Sequence, residues 1–369
     1  MKRIFCVCLC ALMLCFFNLN CRAVSLSAEA AVVINGDTNE IIFSHNKDKR
    51  LPMASTTKIM TALLLCEMCD DLSQTIVTTK EMVTVEGSSM GLLAGDTVSY
   101  RDLLYGLMLA SGNDAANTVA IALSGSVEKF VEQMNIRAQE IGLCDTHFDT
   151  PSGLDGPTHY TTAYELALIA SFAMQNEEFS RAASSQSAVL FYGNPPYRRS
   201  LSNHNRLLKS YSDVVGVKTG YTKKAGRCLV SAAKKDGKYV ITVTLNDKND
   251  WADHRALIDF AFSNIKIHTV SVAQKDINVL LSTGDNLNIN IDDVAISTTD
   301  KENITYKISL PRFLNLPIHK GQEIGEIRYC SGENLLLVSK ISADKDCYIK
   351  SNKLTVCLSI FKTIFCGVC

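Results

Sequence analysis

The chain lacks an excess of charge of either sign: 37 Lys and Arg stand against 38 Asp and Glu, a formal net charge of −1. A partner held through its phosphates demands a basic surplus, so nucleic acid is not expected as a partner. The apolar run from Ile4 to Phe17 falls short of the roughly 20 residues that cross a bilayer as a helix. The 14 cysteines do not make a disulfide framework: five lie in the first 21 residues, the remaining nine are odd in number, and their spacing is irregular. Mostly buried or free thiols are expected instead, with a link between Cys330 and Cys347 left open. No His, Cys and Asp cluster has metal-ligand spacing, so neither metal nor cofactor is expected. Fixed-period repeats and low-complexity tracts are also missing.

What remains is ordinary globular material, 47% apolar and 20% charged, long enough for one large core and a smaller second domain. Lys2 and Arg3, the apolar run and Cys21-Arg22-Ala23, with small residues at both positions a signal peptidase reads, predict an export signal over residues 1–23. Cys66-Glu67-Met68-Cys69 has redox spacing but falls in a helical run, where small core residues explain it better.

Short β-branched runs at Ala31 to Ile34 and Ile41 to Ser44 flank Gly36-Asp37-Thr38-Asn39 and predict a hairpin. After Pro52, Ile59, Met60, Leu63, Leu64 and Met68 recur at helical spacing, so a helix starts near Ser55. Further helices are expected near Tyr100 to Leu109, Asp114 to Leu123, Val127 to Ile141 and Thr162 to Met174, a largely helical insertion. The period then changes. Val214 to Lys218, Cys228 to Ala233 and Val240 to Leu245 predict antiparallel strands, the last two joined at Asp236-Gly237, and a helix from Trp251 to Phe262 closes the domain. Beyond Lys266, short alternating strands at Ile277 to Leu281, Leu287 to Ile291, Ile304 to Leu310 and Leu335 to Val338 predict a small β-domain. Leu354, Leu358, Phe361, Phe365 and Val368 then share one helical stripe, which predicts an amphipathic helix lying in a membrane interface.

Three motifs carry chemistry. Ser55-Thr56-Thr57-Lys58 sets a hydroxyl and an amine three residues apart on one helical face, and a lysine that gives up its proton can activate a serine for acyl transfer. Burial and a second cation would lower that lysine's pKa. Ser-x-x-Lys alone arises by chance about once or twice in a chain of this size and composition. Ser111-Gly112-Asn113, in a turn between helices, and Lys218-Thr219-Gly220, at a strand end, complete the set. Separately these read as a helix cap and a strand-terminating turn; in this order and on these elements they point to one cleft.

The combination resembles the serine penicillin-recognising enzymes, and the wider sequence is similar to their low-molecular-mass D-alanyl-D-alanine carboxypeptidases. The likeness runs from about Ala31 onward and is strongest at Leu51–Ala62, Met108–Ala116 and Gly216–Thr222. It implies an α/β (α+β) fold: a β-lactamase/transpeptidase-like domain over residues 24–265, with an antiparallel sheet flanked by helices. A small all-β domain over 266–350 and a membrane-anchoring helix over 351–369 follow. It further implies that Ser55 attacks the bond between two D-alanines while Lys58 takes its proton, and that Ser111 relays a proton to the leaving amine. Asn113 would bond the substrate backbone, Lys218 supply positive potential, Thr219 meet the terminal carboxylate, and Gly220 leave room for the ligand. The backbone N–H groups of Ser55 and Tyr221 would form the oxyanion hole. The implied partners are peptidoglycan stem peptides as substrate, β-lactams as inhibitors and the membrane surface, with the enzyme on the outer face of the cytoplasmic membrane. Thr150–Asp155 and His159–Ala163 extend the likeness as a loop below the cleft, with His159 a structural organiser. Where some relatives carry further arginines, this chain offers His204, Arg206 and Arg255.

Three other readings compete. Gly87-Ser88-Ser89-Met90-Gly91 fits the nucleophile elbow of α/β-hydrolases, but no helix follows it and no alternating β-α series surrounds it. A β-lactamase needs a deacylating carboxylate, and Glu132 with Asn135 falls in a run better read as a packed helix. A catalytically inactive module that only binds peptidoglycan would have no use for Ser55, Lys58, Ser111, Lys218 and Thr219 together.

Overall fold

A computed structural model describes residues 24–272, 276–282, 286–299 and 304–348; the expected leader and the amphipathic segment 351–369 lie outside the described residues. The chain opens with the expected hairpin, β1 (Ala28–Asn35) and β2 (Ile41–His45). A 3-10 turn at Ala54–Thr57 leads into α1 (Lys58–Met68), whose residues from Lys58 to Leu65 are all buried. A helix apolar around its whole circumference belongs in a core, and each buried leucine there contributes about 2 kcal/mol relative to exposure. Next come β3 (Thr75–Val77), α2 (Lys80–Val83), β4 (Thr97–Ser99), α3 (Tyr100–Tyr105) and a π-helical turn over Gly106–Ala110. The helices α4 (Asn113–Ser124), α5 (Val127–Ile141), α6 (Ala163–Met174) and α7 (Glu177–Ser184) follow. Side-chain oxygens start three of them: Ser126, Thr162 and Asn176 each accept a backbone N–H two or three residues into the helix.

The insertion is not wholly helical. β5 (Ser187–Gly193) and β6 (Pro196–Ser202) form a hairpin that joins β3 and β4 in a four-stranded sheet. Strands of three residues are too short to show alternation in sequence, and the outer face of β5 carries the exposed apolar residues Val189 and Phe191, which blurs its pattern.

After α8 (Leu207–Ser210), the strands β7 (Val214–Thr222), β8 (Gly226–Lys235) and β9 (Lys238–Asp247) complete the main antiparallel sheet, in the order β2-β1-β9-β8-β7. β8 and β9 are joined by Asp236 and Gly237, both at positive φ as a two-residue hairpin loop requires. Their middles read as continuous apolar runs because helices cover both faces: α1 and α6 on one, α9 (Asp250–Asn264) on the other.

β10 (Lys266–Val270) leads into a second, all-β body with its own core of Leu287, Ile289, Ile296, Ile327 and Tyr329. Its strands are β11 (Asp276–Leu281), β12 (Asn286–Asn290), β13 (Val294–Thr298), β14 (Ile304–Ser309), β15 (Phe313–Leu314), β16 (Glu323–Ser331) and β17 (Asn334–Ser342). It joins the larger body at the turn between β1 and β2. There Asn35 Nδ2 donates to the Ser297 carbonyl at 2.8 Å, and the Glu40 carboxylate accepts from Thr299 N–H and hydroxyl. Cys330 and Cys347 are both free thiols.

Candidate active site

β7 ends the main sheet, and its exposed rim faces the turn that begins α1. The approach is tight: a Cβ built on Gly220 would lie 3.0 Å from both Met53 O and Ser55 N. The glycine therefore makes room for the turn bearing Ser55, a different reason from the ligand space expected of it, although Gly220 still lines the cleft. Ala54, just before Ser55, is held at φ +49°, a left-handed conformation that costs a non-glycine residue about 1 kcal/mol. Gly153, at φ +84°, sits so close beneath that a Cβ there would meet Ala54 O at 2.0 Å.

A cleft of about 860 Å³ opens between this turn, the Ser111 turn and β7. Ser55, Ser111, Thr219, Gly220 and Tyr221 line it, while Lys58, Asn113 and Lys218 are buried beside it. The lysine Nζ of residue 58 lies 3.2 Å from Ser55 Oγ, 2.7 Å from Asn113 Oδ1 and 2.6 Å from the Ser152 carbonyl. Two of these partners only accept, and the third is a hydroxyl that can also donate. A neutral amine, with two N–H bonds and one lone pair, satisfies all three if the lone pair faces Ser55. Complete burial, and secondarily the charge of Lys218, hold the Lys58 pKa well below its usual value against an opposing pull from Asp114. Burial alone brings Lys218 down to about 7, and its amine donates to the Thr219 carbonyl at 3.0 Å.

Asn113 has other partners than the substrate backbone expected for it: Oδ1 holds Lys58, and Nδ2 donates to Glu86 O at 2.7 Å. Ser111 sits at φ +57° where the π-helical turn ends, which turns it into the cleft.

His159 behaves as an organiser. Its Nδ1 accepts from Asp149 N at 2.9 Å, which leaves Nε2–H to donate to Thr57 Oγ1 at 2.7 Å, and Thr57 in turn donates to Ala54 O. Burial lowers its pKa to about 4 and keeps the ring neutral. Of the basic residues offered downstream, His204 and Arg206 line the cleft, while Arg255 points to Ser210 O. The sequence reading missed Arg227. Directly paired with Tyr221 in the β7–β8 ladder, it projects on the Thr219 face, held by Asp250 at 2.6 Å and stacked over Trp251. No motif marks it; only the register shows it.

The competing sites dissolve. Ser89 of the elbow-like segment bonds Asp114 and no histidine, Glu132 is exposed on α5, and burial pushes the Cys66 thiol up to about 12, opposite to a reactive thiol.

A serine on a helical turn, an enclosed lysine at its oxygen and an open strand rim define a serine-type hydrolase. Comparison with known proteins narrows this. Residues 19–249 match the family described as D-alanyl-D-alanine carboxypeptidase, and residues 261–348 match the C-terminal domain of penicillin-binding protein 5. The chain is 33% identical over 333 residues to D-alanyl-D-alanine carboxypeptidase DacF of Bacillus subtilis, covering 86% of this chain and 85% of that protein. It is 30% identical to DacC of Escherichia coli over 84% and 81%. Among solved structures, DacD from Francisella tularensis superposes with a TM-score of 0.65 at 26% identity, covering 91% of this chain and all of that one. The Streptomyces K15 DD-transpeptidase gives 0.62 at 32%, covering 65% and 98%. The chain belongs to the D-alanyl-D-alanine carboxypeptidase family, the low-molecular-mass penicillin-binding proteins.

Proposed function

We propose that the protein removes the terminal D-alanine from peptidoglycan stem peptides through an acyl-enzyme on Ser55, and that β-lactams acylate the same oxygen. The observation that carries this is the bonding of Lys58: two pure acceptors take its hydrogens, and the remaining direction points at the Ser55 hydroxyl. Lys58 is then the proton acceptor and Ser111 the relay to the leaving amine. The Ser55 and Tyr221 N–H groups bind the developing oxyanion, a reading supported by the close approach of Gly220, next to Tyr221, to Ser55 N. Lys218 sets the potential, and Thr219 with Arg227 meets the substrate carboxylate. Asn113 serves by fixing Lys58.

The residues up to 265 form the catalytic domain and those from 266 to 350 the accessory β-domain. The protein is exported after loss of residues 1–23 and held at the outer face of the membrane by the helix from 351. Among the described residues no helix is long and apolar enough to cross a membrane.

Intact-mass analysis after exposure to penicillin tests the reading. The wild-type protein should gain one adduct and should release D-alanine from a diacetyl-Lys-D-Ala-D-Ala peptide; Ser55→Ala should do neither. An unlabelled wild-type protein, or an adduct that survives Ser55→Ala, would sink it.

A further inference from the structure

Residues 86–92 have no regular structure of their own, yet Ser88 reaches the cleft. What holds them is the dipeptide at the start of α4. Asn113 donates its backbone N–H to Ser88 O at 2.7 Å and its side-chain amide to Glu86 O. Asp114, only 1% exposed, accepts on both carboxylate oxygens: Met90 N and Ala115 N reach Oδ1 at 2.9 Å, while Ser89 Oγ, Gly91 N and Leu92 N reach Oδ2 at 2.6, 3.1 and 3.0 Å. Every partner is a donor. The carboxylate also explains Gly112, where a Cβ would lie 2.6 Å from Asp114 Oδ1 and 3.1 Å from Met90 N. Sitting in the first turn of α4, Asp114 gains from the helix dipole as well.

This same charge bears on Lys58, which it favours in the protonated form while Lys218 and burial oppose it. The other ionisable groups around the pair are Lys218 on β7, and on the wall side Tyr192 on β5 and Arg199 on β6 with its partner Asp96.

We propose, on the footing of Ser55 acylation, that Asp114 is a positioning residue: its carboxylate fastens the 86–92 wall to the helix that carries Asn113, and it sets a negative charge one residue from the Asn113 amide that bonds Lys58 Nζ. The wall and the base are thereby set by one side chain.

The test compares penicillin acylation rates across pH in the wild type, Asp114→Asn and Tyr192→Phe. The asparagine turns one acceptor oxygen into a donor among donors, so the wall loosens and the acylation rate should fall at least about tenfold. With the negative charge gone, Lys58 stays unprotonated to lower pH, so the acid limb of the profile should move down by about half a unit or more. Tyr192→Phe removes the 2.6 Å bond to Met90 O from the same wall without altering charge; it should lower the rate and leave the limb in place. An Asp114→Asn limb that superimposes on the wild type, or an equal shift in Tyr192→Phe, overturns the proposal. Should Asp114→Asn not fold, Ser89→Ala removes one donor from the same carboxylate at an exposed position. It should slow acylation about twofold or more at unchanged Tm, and an unchanged rate overturns the proposal. A wild-type protein that is not acylated at all defeats the Ser55 reading instead, so the two failures are distinct.

Discussion

Two buried lysines divide the work at Ser55 by environment. Burial holds Lys58 well below its usual pKa, with two acceptors and the Ser55 hydroxyl around its amine, and brings Lys218 to about 7; the proposed acylation needs Lys58 unprotonated and Lys218 charged. With Lys218 at about 7, kcat/KM of the free enzyme should fall as pH rises through that value. An anionic substrate stabilises the Lys218 charge, so the corresponding limb in kcat should lie at higher pH. Profiles of kcat and kcat/KM check this, and a kcat/KM profile flat from neutral to alkaline pH would contradict it. Linkage has the opposite sense for folding. Both lysines release protons earlier in the native state than in the unfolded chain, so stability is lost as pH falls through the ordinary lysine range, and the Lys218 share levels off below about 7. His159, neutral and lowered to about 4, adds a loss as pH falls from about 6.5 toward about 4.

The elements around the nucleophile are fitted backbone to backbone, and glycines mark the fits. Gly153 and Gly125 share a left-handed conformation, at φ +84° and +82°, but a Cβ on Gly153 would meet Ala54 O at 2.0 Å whereas Gly125 faces open space. Gly125→Ala should therefore cost about 1 kcal/mol and a few degrees of Tm while leaving penicillin labelling intact. Gly153→Ala should displace the Ser55 turn and abolish labelling; equal labelling of the two variants would refute this account. Such fits also explain what was legible in the sequence. Runs long enough to show a period, such as Val127–Ile141 and the β8–β9 hairpin, could be read to within a residue or two, but Lys218-Thr219-Gly220, expected at a strand end, lies inside β7, which pairs with β8 as far as Thr222. The β3-β4-β5-β6 sheet could not be read, because two of its strands have three residues and a third turns apolar side chains outward. Arg227 and the carbonyl of Ser152 escaped for another reason: an arginine at the start of a strand and a main-chain oxygen carry no motif, and only register and loop path bring them to the site. Asn113 was found, but its partners follow from packing that spacing does not encode.

At the scale of the molecule, two cores meet through few polar contacts at the turn between β1 and β2. A nested pair of truncations should separate their contributions. Removing residues 353–369 should release the protein from the membrane fraction and leave acylation unchanged. Ending the chain at Ile265 should also leave acylation within about twofold, while lowering Tm because the Asn35 amide loses a buried partner. Loss of acylation in the shorter form, shown folded by its thermal transition, would mean that the second body shapes the cleft. The sheet order argues otherwise, since β7 and β2 are its opposite ends. The polar seam between the two bodies thus sits across the five-stranded sheet from the groove, on the side a bulky polymer chain need not cross to bring its stem to Ser55.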